Sequence, residues 1–424
     1  MQHRRIAVVG AGAAGLMAAQ AAAGASAYVT VYERNSIAGK KLLIAGKGRC
    51  NFTHDGPAQE IVDAFDRDGR FLYSALSDFG PQELCELMKS LGVDYKVERG
   101  KRVFPVSDRA SDVRDALLSS AQRLGAQFVF GSRASRLLIE GGAAAGFEDY
   151  EGHQVQADAV IIATGGASYP GTGSTGDGYG LARQAGHAVK PPLPALVAME
   201  TVEAWPGNLA GLSLKNVELT LYDHGREAGR EFGEMLFTHW GVSGPIVLSA
   251  SRAVCTSLRS SQGLAKGRFT LAIDLKPALD EQTLDRRVTR DLREASRKQL
   301  KNSLDELLPK ALIPVVIAIS GIDETTTANQ VTTEQRSRIV HVLKALPLTV
   351  KRTRPLEEAI VTSGGVELSS VDSRTMESKL VSGLYFAGEL LDLDAPTGGY
   401  NLQAAFSTGH LAGLAAAGAK RVRS

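Results

Sequence analysis

Three glycines and one glutamate mark out the first chemistry available to this chain. Gly10, Gly12 and Gly15 are spaced GxGxxG directly after the apolar run Ile6–Val9 and open an alanine-rich segment. Gly10 permits a tight turn, Gly12 lets backbone approach a pyrophosphate, and Gly15 lets a helix pack closely on the strand. A helix from about Ala13, with Ala14 in its first turn, aims free N–H groups and its positive dipole end at phosphate oxygens. Glu33 ends the next strand, Tyr28–Tyr32, where a carboxylate accepts both hydroxyl hydrogen bonds of an adenosine ribose. Such an acid disfavours a 2′-phosphate, and Arg34 beside it is the residue that would favour one. A lone GxGxxG is weak evidence; the strand before, the helix after and the acid beyond make it specific.

A second group of residues near the other end completes the same site. Gly383–Ala387 is an apolar strand that reaches Gly388 and Glu389, an acid able to bond ribityl hydroxyls. After Gly399 a helix begins at about Tyr400. Its first amides, at Tyr400, Asn401 and Leu402, can stabilise negative charge at the C2 carbonyl and N1 of an isoalloxazine. The two ends therefore read as halves of one FAD site. Between them, Gly39–Thr53 (GKKLLIAGKGRCNFT) makes an anion nest at Gly48, with Lys41 and Arg49 against pyrophosphate charge. Asn51 is expected near the reactive edge, with Cys50 beside it as a packed small side chain.

Further elements must bring the chain back to the cofactor. Asp158–Gly166 (DAVIIATGG) is a buried strand ending in a small-residue turn at Thr164 and Gly165. Phe128–Leu138 is expected to be a strand pair whose backbone near Ala134 faces the adenine. Gly171, Gly173 and Gly176 spell a second GxGxxG, yet no strand precedes it and no acid-terminated unit follows. It reads as a loop feeding a helix at Gly176–Ala185, with Asp177 near its start. Without a separate NAD(P)H domain, any pyridine nucleotide must visit the substrate side of the flavin.

The predicted fold class is α/β: a Rossmann-like FAD/NAD(P)-binding domain of the two-dinucleotide-fold type, interrupted by a β-rich insert and a helical insert. Its length of 424 residues exceeds a single core. The expected domains are 1–190 with 355–424 for FAD, 191–275 with 347–354 as the β-rich substrate side, and 276–346 as the helical insert. No Phe, Tyr or Trp occurs between Phe269 and Tyr385, which marks the change of domain. Short alternating runs such as Val217–Tyr222 and Phe269–Ile273 predict antiparallel strands. Glu281–Leu308 and Thr332–Leu346 predict amphipathic helices, and Arg286, Arg287 and Arg290 among acids predict a solvated face. The tail KRVRS reads as a frayed end.

Residues 6–32 carry no charge and follow MQHRR, a superficial likeness to a secretory signal or membrane span. Glycines at fingerprint spacing and alanine in place of leucine argue against both. Net charge is +2, which gives no electrostatic reason to expect nucleic acid or membrane as a partner. Cys50, Cys85 and Cys255 form no CxxC, so no disulfide redox motif and no metal site are expected, and a cytoplasmic location is.

The motifs also carry a family resemblance. AGKGRCNFT (45–53), RVFPVSDRASDV (102–113), GGASYPGTGSTGDGYGLARQAGH (165–187), GEMLFTHWGVSGPIVL (233–248) and the segment 361–413 resemble the bacterial flavoproteins that include aminoacetone oxidase. A more distant likeness, through ATGG and TGDG, is to fumarate-reductase flavoproteins. The resemblance implies a split FAD domain, and that FTHWGVSGP faces the flavin. It implies an FAD-dependent oxidoreductase acting by hydride transfer on a small molecule, with NAD(P)H or O2 as redox partner. Amine oxidation and NAD(P)H-dependent ene reduction are the two directions such relatives run. A tRNA-modifying or non-catalytic flavin protein is the alternative of another class. Arg102, Tyr169, His239 and Tyr400 are the polar candidates on the substrate side, and His239 has the ring suited to acid–base work near neutrality.

Overall fold

A computed structural model describes residues 3–259 and 267–419; the basic tail from Lys420 lies outside them. The chain forms two compact units, Met1–Ala195 with Leu356–Ser424, and Leu196–Pro355. The first contains β1 (Arg5–Val9), α1 (Ala13–Gly24), β2 (Tyr28–Glu33), β3 (Thr53–His54) and α2 (Ala58–Ala64). Further along come β4 (Gln127–Phe130), β5 (Ala159–Ile162), α3 (Asp177–Gln184), β6 (Leu384–Phe386) and α4 (Tyr400–Ala416).

Five strands make a parallel sheet in the order β6-β5-β1-β2-β4. Strand β5 is wholly buried and β1 is buried from Ile6 onward, as continuous apolar runs require in a covered parallel sheet. Helix α1 is buried on nearly all sides because alanine lets it lie close to both the sheet and α4. The uncharged stretch 6–32 is thus strand, helix and strand. Among the described residues no helix is long and apolar enough to cross a membrane.

One expected pairing is corrected. Phe128–Leu138 is not a strand pair: β4 joins β2 in the parallel sheet, whereas Ala134–Glu140 pairs with Ala143–Asp149 in a separate antiparallel sheet. The connection is pulled out of the main sheet because Gly131 N–H bonds to Asn35 O and Ser132 N–H to Glu33 O. That same detour brings the chain before Ala134 alongside the end of β2.

The second unit is a closed antiparallel barrel of Met199–Thr201, Ser213–Asp223, Arg226–Thr238, Gly241–Ser243, Phe269–Asp274 and Leu346–Thr353. Its helical segment shares the barrel's core, with Leu284 and Val288 in the same cluster as Leu271 and Leu346. The helix expected over Glu281–Leu308 stops at Glu294. Leu300 N–H bonds to Thr326 O and Gln299 bridges Thr327, which draws the chain away while Leu300, Leu304 and Leu307 stay buried. The basic cluster is an ion-paired face, with Arg287 on Asp291 at 2.8 Å and Arg336 on Asp285 at 2.7 Å.

Candidate functional site

The site in the first unit is built from turns at the ends of β1, β2, β5 and β6. A Cβ on Gly15 would stand 1.9 Å from Gly10 O, so only glycine lets α1 start this close beneath the turn. Gly12 caps α1 with no side-chain bond to its first amides and no acid in the first turn, and its Cβ direction is open space. Glu33 is buried at the tip of β2. Its Oε2 accepts from Ala11 N–H at 2.8 Å, and its Oε1 from Asn35 N–H at 2.8 Å and Asn35 Nδ2 at 2.7 Å. The carboxylate therefore braces the glycine turn. Arg34 is taken up by Thr175 at 2.5 Å and Asp177 at 3.1 Å, and Arg133 holds the same Asp177.

The loop after β2 docks on this turn through Gly39 N–H to Ala11 O. Lys41 reaches Glu389 and Ser168, each at 2.7 Å. Glu389, in the turn Gly388–Leu390, also accepts from Thr362 N–H at 2.8 Å and Ser168 Oγ at 3.1 Å. The two residues expected to serve pyrophosphate and ribityl groups are thus paired with one another.

Arg49 departs further from expectation. Its guanidinium is held by Glu98 and Asp108 and lies 4.1 Å over the Phe104 ring, so protein carboxylates take the charge assigned to a phosphate. Cys50 is fully buried at a φ of 60°, and burial pushes its thiol up to about 12, leaving no thiolate for chemistry.

Helix α4 begins after Gly399, with no side-chain cap and no acid in its first turn. Gly399 has φ 98°, and a Cβ there would stand 2.2 Å from Thr53 O, so the helix start rests directly on β3. Asn401 uses its side chain on Ala395, accepting from N–H at 3.0 Å and donating to O at 2.8 Å. Its backbone, like that of Tyr400 and Leu402, remains at the helix start. Asn51 Oδ1 and Thr164 Oγ1 are buried without a hydrogen-bond partner among the described residues. Two orphaned oxygens, an open glycine turn and two uncapped helix starts fit FAD.

The same contact exposes a residue that sequence reading missed. His54 follows Thr53 on β3 and is buried. Its ring stacks on Tyr400 at 4.6 Å and 28°, with Tyr400 Oη 3.5 Å and Glu60 Oε2 3.1 Å from Nε2. Arg102 pairs with His54 in the β register and donates Nε to Arg99 O at 3.1 Å. Tyr169 precedes a short turn with φ 50°. His239 is exposed in the turn between Arg226–Thr238 and Gly241–Ser243 of the barrel unit.

This fold and these residues define an FAD-dependent oxidoreductase. The chain belongs to the HI0933-like family, whose Rossmann-domain model matches residues 4–415. It is 34% identical to a 3-dehydro-bile acid delta(4,6)-reductase of Clostridium scindens, over 97% of this chain and 99% of that one. It is 31% identical to a ribosomal RNA dihydrouridine synthase of Haemophilus influenzae, over 97% and 98% of the two chains. In fold it resembles the 3-ketosteroid delta1-dehydrogenase of Sterolibacterium denitrificans, with TM-score 0.56 at 13% identity, covering 99% and 100%.

Proposed function

We propose that this protein reduces a carbon–carbon double bond conjugated to a carbonyl, with the proton supplied by Tyr400. The observation that carries the reading is Tyr400 itself. It opens the first turn of α4, with its ring stacked on the buried His54. Its hydroxyl is protonated at neutral pH as any tyrosine's is, and burial and then the charge of Glu60 push its pKa further up. A protonated hydroxyl at that place can serve as a proton donor. The relatives support the same direction. A delta(4,6)-reductase and a dihydrouridine synthase differ in substrate, yet each name denotes hydrogen added across a ring double bond.

FAD, when bound, supplies hydride transfer. Gly10, Gly12, Ala13, Ala14 and Gly15 would hold its pyrophosphate, Glu33 its ribose, and the start of α4 its ring carbonyl. Tyr400 would then give its proton to the carbon next to the substrate carbonyl. Arg102 and the exposed His239 are proposed as substrate contacts, and NADH or NADPH as the reductant. A small polycyclic enone is the favoured substrate, consistent with a net charge of only +2. A uridine in ribosomal RNA is the second reading, favoured by the 31% identical relative. A cytoplasmic location is supported by three buried cysteines, none of them in a disulfide among the described residues.

The test is anaerobic. Purified protein is mixed with NADH or NADPH until the flavin bleaches, then with a 3-oxo-4-ene steroid, an rRNA transcript or aminoacetone. Recovery of flavin absorbance with the enone supports the proposal, and recovery only with the transcript moves it to RNA. Bleaching by the amine without any nicotinamide, followed by turnover in air, overturns it in favour of an oxidase.

A further inference from the structure

We propose that His54 and Glu60 form a proton relay that recharges Tyr400 from solvent, an inference that rests on the reductase reading above. Nothing in the composition of the loop marks His54, but its surroundings are built for this one contact. Gly399 lets the first turn of α4 sit on the Thr53 carbonyl, and Thr53 Oγ1 bonds Gln403 one turn further along the same helix. Between these two ties the His54 and Tyr400 rings are held face to face. Gly56 lies against the pair: a Cβ there would stand 2.7 Å from Glu60 Oε2 and 3.3 Å from His54 Cδ2, so any larger residue would push the carboxylate aside.

The protons have one route. His54 Nδ1 is buried without a hydrogen-bond partner among the described residues, so exchange runs through Nε2, which contacts both Tyr400 Oη and Glu60 Oε2. The Glu60 side chain is 38% exposed, and Lys101 grips its outer edge at 2.6 Å and 2.8 Å. Hydrogen bonds from Lys101 and then His54 hold the Glu60 carboxyl below the usual range, so it stays an anion beside the ring. Around His54 the charged and titratable groups are thus Glu60 on α2, Tyr400 on α4, Lys101 in the adjoining turn, Arg102 opposite in register and Asp55 next in the chain.

In the step itself, the Tyr400 O–H bond breaks and a C–H bond forms at the carbon next to the carbonyl of the substrate enolate. As the phenolate oxygen takes the proton held at Nε2, Glu60 Oε2 hands Nε2 a proton drawn from solvent water. The ring ends with as many protons as it began, and the hydroxide is left in bulk solvent. No electrons move in this sequence; they arrive earlier with the hydride. His54 and Glu60 are positioning and relay residues, whereas Tyr400 alone touches the reacting carbon.

The experiment uses the FAD-loaded protein and two readouts. First, 15N resonances of His54 and phenolate absorbance of Tyr400 are followed against pH in wild type, Glu60→Gln and Tyr400→Phe. The His54 Nε2 signal is expected to move at the pH where Tyr400 ionises, and that movement should vanish in Tyr400→Phe. The phenolate midpoint should fall by about one unit in Glu60→Gln, the effect of losing one nearby anion. Second, reoxidation of the bleached flavin by an enone is timed against pH. His54→Gln and Glu60→Gln should slow it by about 10²-fold, the size of a lost proton-transfer group, and flatten its pH profile, while bleaching by nicotinamide is unchanged.

An imidazole signal blind to Tyr400 ionisation, with an unaltered pH profile in Glu60→Gln, overturns the relay. If no enone reoxidises even wild type, the reductase reading fails by itself. The titration still decides whether the three groups are coupled. Retained FAD affinity in each variant certifies that it folds.

Discussion

Glu33 has one role that the structure shows and a second that is proposed for it. Its oxygens brace the glycine turn through Ala11 and Asn35, and the proposed reading gives the same carboxylate the ribose. Glu33→Ala should therefore weaken FAD binding by about 1–3 kcal/mol, roughly ten- to hundredfold, because sugar hydroxyls and turn amides both lose an acceptor. Glu389→Asp keeps its charge beside Lys41 and should cost less. Titration of apoprotein with FAD separates them; equal affinities would remove the ribose role from Glu33. Tyr400 and His239 are distinguished by rate. Tyr400→Phe should slow flavin reoxidation by an enone by about 10²-fold or more, and His239→Asn by under about tenfold. The opposite order hands the donor role to His239. The glycine turn and Glu33 were legible because their spacing is local. His54 was not, since its partner Tyr400 lies at the far end of the sequence and only the β3–α4 contact joins them. Arg49 misled for the same reason: a basic residue in a glycine loop reads as a phosphate ligand until Glu98 and Asp108 are seen around it.

At the scale of elements, the contact between α1 and α4 holds both uncapped helix starts in place. A Cβ on Gly409 would stand 2.2 Å from Ala14 O, and one on Gly413 2.4 Å from Ala18 O, backbone against backbone. Gly409→Ala should cost about 1–3 kcal/mol of stability by overpacking, and lower FAD affinity with it because it separates the two helix starts proposed to hold the cofactor. A variant that loses neither, by thermal melting and FAD titration, would show that the helices can move apart freely. The strand Val361–Val366 and its neighbours bring a buried histidine into the same unit. His187 lies between Ser370 Oγ and Ser378 Oγ, both at 2.7 Å, and burial pulls its pKa below the ordinary value. The unfolded chain then binds a proton at about pH 6.5 that the folded one refuses, so stability is full above that pH and falls as pH drops below it. Urea unfolding across that window should show the loss, and His187→Gln should flatten it. Apolar strands and alanine helices were read correctly because their period is written locally. The helix Glu281–Leu308 was overrun because its leucine spacing persists past Glu294, although the helix stops there and Gln299 and Leu300 pair instead with Thr327 and Thr326.

For the whole molecule, the question is why a split cofactor unit tolerates a barrel in its middle. The answer lies at the seam. Val189–Ala195 runs antiparallel to Val361–Val366, with Ala195 opposite Val361, so the chain leaves and re-enters the first unit at neighbouring positions. An insertion between such ends adds little closure entropy to the unit that carries it. The barrel and its helices meanwhile close their own core around Leu271, Leu284 and Leu346. Replacing 196–355 by a short glycine–serine linker should therefore leave a folded first unit that binds FAD and turns yellow. Acid should release the colour as free FAD, since Cys50 is fully buried. The excised protein should bleach with a strong chemical reductant, and its enone turnover decides whether the substrate role proposed for His239 holds. Colourless, aggregated protein would mean that the cofactor unit needs the insert to fold. Yellow protein with full enone turnover would mean that the barrel, His239 included, takes no part in catalysis.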